Sequence, residues 1–238
     1  MRKFLEPDPV YTGVGKWRYY QRNTFIKRYF SYGKDNVFLY RGEEMFIAIT
    51  PYKVLNEHDI EHYRRIEQDI DFLMIRTPME VELLVEWIEQ LKLNYFPINK
   101  IIIHSDIDVL ERCELWAIHF KEQDARIAQF KQDNPNVQVS ASTHYETSVG
   151  EAQSLGLDFV LFSHIFETGS KPGQPPRTDQ EISSVLKYDI PIIALGGINS
   201  KTLKHLPQGF SGIAGISIFD KAHEDELSAL KEVWQDYV

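Results

Sequence analysis

The chain of 238 residues is short of cysteine, with a single one at Cys113. One thiol makes no internal disulfide and cannot furnish the paired cysteines of a CxxC-type zinc site. Long hydrophobic runs are missing as well. No apolar stretch approaches the roughly 18 residues of a spanning helix. The opening MRKFLEPDPV carries no apolar segment long enough for a secretory leader. The expected compartment is therefore the cytosol, with no membrane partner. Positive charge is in deficit: 26 Lys and Arg stand against 35 Asp and Glu, a net charge of -9. That balance argues against a general nucleic-acid binder. What is present is the composition of a folded protein. Hydrophobic residues make up 43%, charged residues 26% and aromatics 13%, which excludes wholesale disorder. At about 100–200 residues per domain, the length suits one large domain or two small ones.

The charge is unevenly distributed. Residues 1–44 hold nine Lys and Arg against five Asp and Glu, whereas residues 45–238 hold 17 against 30. Residues 1–44 also carry eleven aromatics, Trp17, Tyr19, Tyr20, Phe25, Tyr29, Phe30 and Tyr32 among them. No helical or strand period persists there for more than a few positions. Three readings stay open for this extension: an appendage packed on the main body, a basic aromatic arm for a partner or a single-stranded nucleic acid, or an addition upstream of a start near Met45.

From Met45 onward, short runs rich in β-branched residues alternate with longer polar stretches at helical spacing. The runs are 45–50, 72–76, 100–104, 115–120, 137–141, 159–162, 191–195 and 212–217. Helices are predicted over 79–93, 125–132, 148–155, 179–188 and 224–237, with Asp179 capping its helix and Ile182, Val185 and Leu186 as the buried stripe. Continuous apolar strands separated by helices imply a parallel sheet covered on both faces. Eight such units point to an α/β fold, a (β/α)8 TIM barrel with an N-terminal extension. A doubly wound sheet is the rival, but no GxGxxG follows the first run.

In a barrel, chemistry belongs at the carboxyl ends of the strands. Four histidines fall there: His104, His119, His144 and His164. Arg76 ends the second run. Several imidazoles could hold a divalent metal, one could act as an acid/base, or all could be hydrogen-bonded rim residues. The HxH pair of many barrel hydrolases is absent, which favours acid/base chemistry over metal. A phosphate site is the second candidate. The seventh run ends in Gly196-Gly197 and the eighth in Gly215 and Ser217. Glycines there let backbone N–H groups approach an anion, and Asn199 or Ser200 could cap a following helix. Equally, these glycines could simply form tight turns. The third candidate is the Gly- and Pro-rich loop SHIFETGSKPGQPPRT, 163–178, which sets Lys171 and Arg177 where they could neutralise an anionic substrate.

At this loop a family resemblance becomes specific. DFVLFSHIFETGSKPG, followed by IPIIALGGI and GIAGISIF, resembles the thiamine phosphate synthase/TenI superfamily, with FLMIR and STHYETSVGEA in support. The likeness runs from about Met45 to the end, and it implies the same (β/α)8 barrel. It also implies one of two activities: a magnesium-dependent synthase joining a pyrimidine diphosphate to a thiazole phosphate, or a TenI-type isomerase converting an exocyclic tautomer of a carboxythiazole phosphate into the aromatic ring. Synthases resemble Q-x-R-E-K on the second strand, where this chain has Met74-Ile75-Arg76-Thr77-Pro78. The family's Asn-Asp after the third strand is His104-Ser105 here. Its His-Leu-Gly-Gln-x-Asp pattern survives only as His119 and Asp124, with Lys121 and Glu122 in place of the glycine and glutamine.

FSHIFET places His164 where a synthase usually has proline, as the isomerase does. The resemblance therefore implies His164 as the acid/base. Arg76, Ser142, His144, Lys171, Gly196, Gly197, Gly215 and Ser217 become the expected substrate-binding set, with His104 and His119 as further pocket candidates. No cofactor is expected; Asp124 would hold magnesium only under the synthase alternative. The expected partner is a small-molecule thiazole phosphate, with no nucleic acid and with a homo-oligomer left open. A non-catalytic, regulatory thiazole- or thiamine-phosphate-binding protein is the remaining alternative.

Overall fold

The structure is a computed structural model. It describes the backbone of residues 18–22, 25–32, 36–39, 45–220 and 224–237, and side chains within 45–220 and 226–237. The chain divides into two compact units, Met1–Gly42 and Glu43–Val238.

The first unit contains a three-stranded antiparallel sheet of β1 (Arg18–Arg22), β2 (Phe25–Tyr32) and β3 (Asn36–Leu39), in the order β1-β2-β3. Strand structure here was not anticipated from the sequence. In FIKRYFSY, large apolar and polar side chains occupy both parities, so the alternation that marks a half-buried strand is lost. The side chains of residues 1–44, and with them every role weighed for the extension, lie outside the described residues.

The second unit is a closed parallel barrel of eight strands: β4 (Met45–Ile49), β5 (Phe72–Ile75), β6 (Ile101–His104), β7 (Ala117–Phe120), β8 (Gln138–Thr143), β9 (Phe159–Ser163), β10 (Ile192–Leu195) and β11 (Gly212–Gly215). Between them run α1 (Glu57–Arg65), α2 (Val81–Leu93), α3 (Ile107–Arg112), α4 (Ile127–Asp133), α5 (Glu146–Ser154) and α6 (Asp179–Val185). α7 (Ser217–Asp220) and α8 (Glu224–Tyr237) follow β11. This is the (β/α)8 architecture.

Strand parity sorts the core. Ile118 and Phe120 of β7, with Val139 and Ala141 of β8, share a buried cluster with Leu84, Trp87, Ile88 and Leu91 of α2. The spacing of those four puts them on one helical stripe. The opposite parity faces the barrel axis, where Phe72 of β5 and Phe159 of β9 stack at 6.4 Å.

The helix starts are set locally. Asn56 and Asp59 form a capping box on α1, Asn56 N–H donating to Asp59 Oδ2 at 2.8 Å. α6 is capped by Thr178 rather than Asp179: Glu181 N–H donates to Thr178 Oγ1 at 3.2 Å, and Thr178 N–H to Glu181 Oε2 at 2.8 Å. The hydroxyl reciprocates with a glutamate three residues on, which leaves Asp179 as the first helical residue. Between β10 and β11 no α-helix forms among the described residues. There is only a 3-10 turn at Leu203–His205, since Pro207 and Gly209 follow too soon. Asn199 instead caps the preceding turn, its Oδ1 accepting from Lys201 N at 2.9 Å and Thr202 N at 3.1 Å.

Candidate active site at the carboxyl ends of the strands

β7 and β8 place a polar layer inside the top of the barrel. Their register pairs His119 with Ser140, and alternation then turns His119, Ser140 and Ser142 toward the axis. His119 is 1% exposed. Its Nδ1 lies 2.9 Å from Ser140 Oγ and its Nε2 2.9 Å from Ser142 Oγ. Burial, then the neighbouring His104, hold its pKa well below the ordinary imidazole value. His119 is a neutral, satisfied interior histidine, and Ser142 is its partner. His104, at the end of β6, is half-buried with its ring 5.6 Å from that of His119. Burial and the Arg76 and Lys121 cations push its pKa down to about 4. Both imidazoles are therefore uncharged at neutral pH.

One strand further round, the loops after β7 and β8 leave the barrel side by side and bring Glu122 onto His144. Glu122 Oε2 lies 2.7 Å from His144 Nδ1, and Glu122 Oε1 accepts from His144 N–H at 2.7 Å and Ser148 Oγ at 2.6 Å. The other ring nitrogen, Nε2, is 3.2 Å from Ser163 Oγ and 3.1 Å from Lys171 Nζ. Burial, then the nearby Arg177, lower the pKa of Lys171, with Glu122 opposing. Arg177 Nε donates to the Ser163 carbonyl at 3.0 Å and its Nη1 pairs with Glu181 at 3.0 Å. The sequence reading grouped His144 and Lys171 as binding residues. Glu122, by contrast, entered it only as a departure from the family glutamine, and nothing pointed to Ser163.

His164 follows β9, is 2% exposed, and meets the Gln174 carbonyl through Nε2 at 3.3 Å. Because a carbonyl only accepts, Nε2 carries the proton and Nδ1 is a lone pair. That Nδ1 is buried and has no hydrogen-bond partner among the described residues. The segment after it packs tightly on the loop after β10. Gly196 has φ +102° and Gly197 φ +69°. A Cβ on Gly196 would run into the His164 side chain, and one on Gly197 into the backbone of Phe166 and Glu167. These two glycines therefore have a packing reason of their own.

Gly215 ends β11 with Ile218 closing over it, and Ser217 is exposed at the start of α7. Arg76 is exposed at the end of β5, its guanidinium 4.9 Å from the Tyr52 ring centre. Its backbone is tied to Thr50: Arg76 N–H donates to Thr50 Oγ1 at 2.8 Å, and that hydroxyl donates to the Arg76 carbonyl at 2.7 Å. A polar cleft of about 530 Å³ opens within the loop after β9, with Lys171 and Gln174 among its walls.

Asp124 is engaged. Arg126 Nε and Nη2 reach its two carboxylate oxygens at 2.9 and 2.6 Å, and that contact holds its carboxyl below the ordinary value. Ser105, where the family has aspartate, sits at φ +63° with its N–H on the His119 carbonyl at 2.8 Å. No group of three or more His, Cys, Asp or Glu suited to a metal occurs among the described residues. No helix among them is long and apolar enough to cross a membrane.

Known proteins extend this picture. The family model described as thiamine monophosphate synthase, TMP-TENI, matches residues 57–219. The chain is 37% identical over 123 residues to a putative thiamine-phosphate synthase 2 of Aquifex aeolicus, covering 50% of this chain and 65% of that protein. It is 33% identical over 132 residues to a thiamine-phosphate synthase of Chlorobium luteolum, covering 54% and 62%. The matches thus span less than two thirds of those relatives' own length. Among solved structures, thiamine phosphate pyrophosphorylase from Pyrococcus furiosus superposes with a TM-score of 0.67 at 19% identity, covering 82% of this chain and 96% of that one. The enzyme of the same name from Bacteroides thetaiotaomicron gives 0.55 at 22%, covering 81% and 98%. At such identities the superpositions establish the barrel alone. The family match covers more than half of the residues, and the chain belongs to the thiamine monophosphate synthase/TenI family.

Proposed function

We propose that this chain is an isomerase that converts an exocyclic tautomer of a carboxythiazole phosphate into the aromatic thiazole, by proton transfer through imidazole. The observation that carries this reading is the donor set at the strand ends. Imidazoles, hydroxyls and a Glu122 carboxylate taken up by His144 and Ser148 occupy it, and the one aspartate retained from the family's metal pattern is closed by Arg126. Magnesium prefers several oxygen ligands in near-octahedral array. His104, Ser105 and an arginine-bound Asp124 do not fit it.

Tautomerisation breaks one C–H bond and forms another on the same molecule. Its electron pair stays within the conjugated system, so a proton acceptor and a proton donor suffice. His164 has the role the family resemblance implies: its Nδ1, buried and without a hydrogen-bond partner among the described residues, accepts the ring proton. Positioned acid/base groups supply about 10²–10⁴ in rate, and aromatisation makes the reaction downhill. Arg76 and Lys171 suit the substrate's carboxylate and phosphate charges. The test is ultraviolet absorbance of the carboxythiazole phosphate tautomer mixed with purified protein in the presence of chelator. Conversion to the aromatic product supports the reading, and no acceleration over the uncatalysed rate rejects it.

A synthase joining a pyrimidine diphosphate to a thiazole phosphate is the second reading, favoured by the names of the relatives. Robust magnesium-dependent coupling of those two substrates would establish it over the isomerase.

A further inference from the structure

We propose that His144 is a second proton-transfer group of this site, delivering a proton from Nε2, and that Glu122 is its positioning residue. The inference deepens the isomerase reading and rests on it. A tautomerisation removes a proton at one carbon and delivers one at another; His164 in its present tautomer presents a lone pair on Nδ1 for the first step, and a separate donor serves the second.

The Glu122–His144 pair has the required chemistry. A carboxylate accepts and never donates, so its 2.7 Å contact places the proton on His144 Nδ1 and leaves the lone pair on Nε2. Glu122, held by the His144 amide and the Ser148 hydroxyl as well as by the ring, is fixed where it can stabilise an imidazolium.

On the far side, Lys171 Nζ and Ser163 Oγ both aim hydrogens at Nε2. Burial and Arg177 weaken the hold of Lys171 on its proton. In the proposed cycle Lys171 supplies a proton to Nε2 along their 3.1 Å contact, and Nε2 hands it to the exocyclic carbon while His164 Nδ1 takes the proton from the ring carbon. The proton gained by His164 is released when the product leaves, and Lys171, half-buried in the cleft wall, takes one up from solvent. One C–H bond has broken, one has formed, nothing has been oxidised, and the protein ends the cycle as it began. Lys171, which meets His144 Nε2, and Gln174, whose carbonyl meets His164 Nε2, both line the cleft in the loop after β9, so the two imidazoles lie behind walls of one cleft.

Glu122 also ties the loop after β7 to the start of α5 through Ser148, so a purely structural role has to be separated from a positioning one. The experiment combines side-chain ¹⁵N NMR of histidine-labelled protein with kinetics of Glu122→Gln and His144→Gln. In the wild type, His144 should show the Nδ1–H tautomer, and its Nε2 resonance should move on titration with the aromatic carboxythiazole phosphate. Glu122→Gln should lose that tautomer. Both variants should lose about 10²-fold or more in kcat with KM and Tm little changed. Wild-type kcat in either variant, or a fall in kcat that only tracks a fall in Tm, overturns the proposal. A wild-type protein that isomerises nothing rejects the isomerase reading. The tautomer and titration measurements still judge the pair in that case, and an unmoved Nε2 resonance rejects it even if the variants fail to fold.

Discussion

Arg126 closes on Asp124 with two nitrogens, at 2.9 and 2.6 Å, and its amide adds a third contact at 3.1 Å. The aspartate's lone pairs are directed at its own near neighbour in sequence. Asp124→Asn should accordingly leave isomerisation within about twofold and stability within about 1 kcal/mol, the usual worth of an exposed pair. Chelator and added magnesium should make no difference to the rate. A large loss of turnover in this variant, rescued by magnesium, would contradict the metal-free reading.

His104 and His119 give stability a defined pH dependence. Both imidazoles are depressed below their ordinary value of 6.5, His104 to about 4 and His119 well below that ordinary value through burial. The native protein stays neutral at these sites while the unfolded chain takes up protons. Stability is therefore complete above about pH 6.5 and declines as pH falls, by up to about 1.4 kcal/mol per pH unit for each histidine. Urea unfolding at pH 7.5 and pH 5.0 should show the decline, and His104→Gln should make it shallower. Equal slopes in the two proteins would mean that His104 is not a source of it.

Gly196→Ala should be severe. The backbone has φ +102° and the new methyl group would meet the His164 side chain. The left-handed conformation alone costs a non-glycine residue about 1–2 kcal/mol, and the clash adds to it. Thermal unfolding should report the loss, together with reduced isomerisation from a displaced His164. An unperturbed variant would mean that the approach of the two loops is looser than described.

His164→Gln tests the acceptor. It should lower kcat by about 10²–10⁴ while the protein still binds the aromatic carboxythiazole phosphate, measured by calorimetry. Unchanged turnover would remove His164 from the chemistry.

The barrel was readable because each of its strands is a short run buried along most of its length, and such runs appear in sequence as continuous apolar segments. β5 reads FLMI and β9 reads FVLFS. Helix starts were less legible. Choosing Thr178 over Asp179 depends on which residue exchanges hydrogen bonds with Glu181, and both types cap well. The site was only half legible. His164 stands out because its surrounding motif is contiguous. Glu122 and His144 are 22 residues apart, and their meeting follows from the pairing of Phe120 with Ala141 across β7 and β8, a register that no local pattern specifies. His119 likewise looks like its three fellow histidines until alternation turns it inward onto Ser140 and Ser142.

Gly196 has an evolutionary corollary. The seat of one imidazole depends on an atom missing from the adjoining strand's loop, so the two positions are bound to change together across lineages. Where a relative carries a larger residue in the first place, its neighbour should have surrendered the histidine or adopted another backbone path.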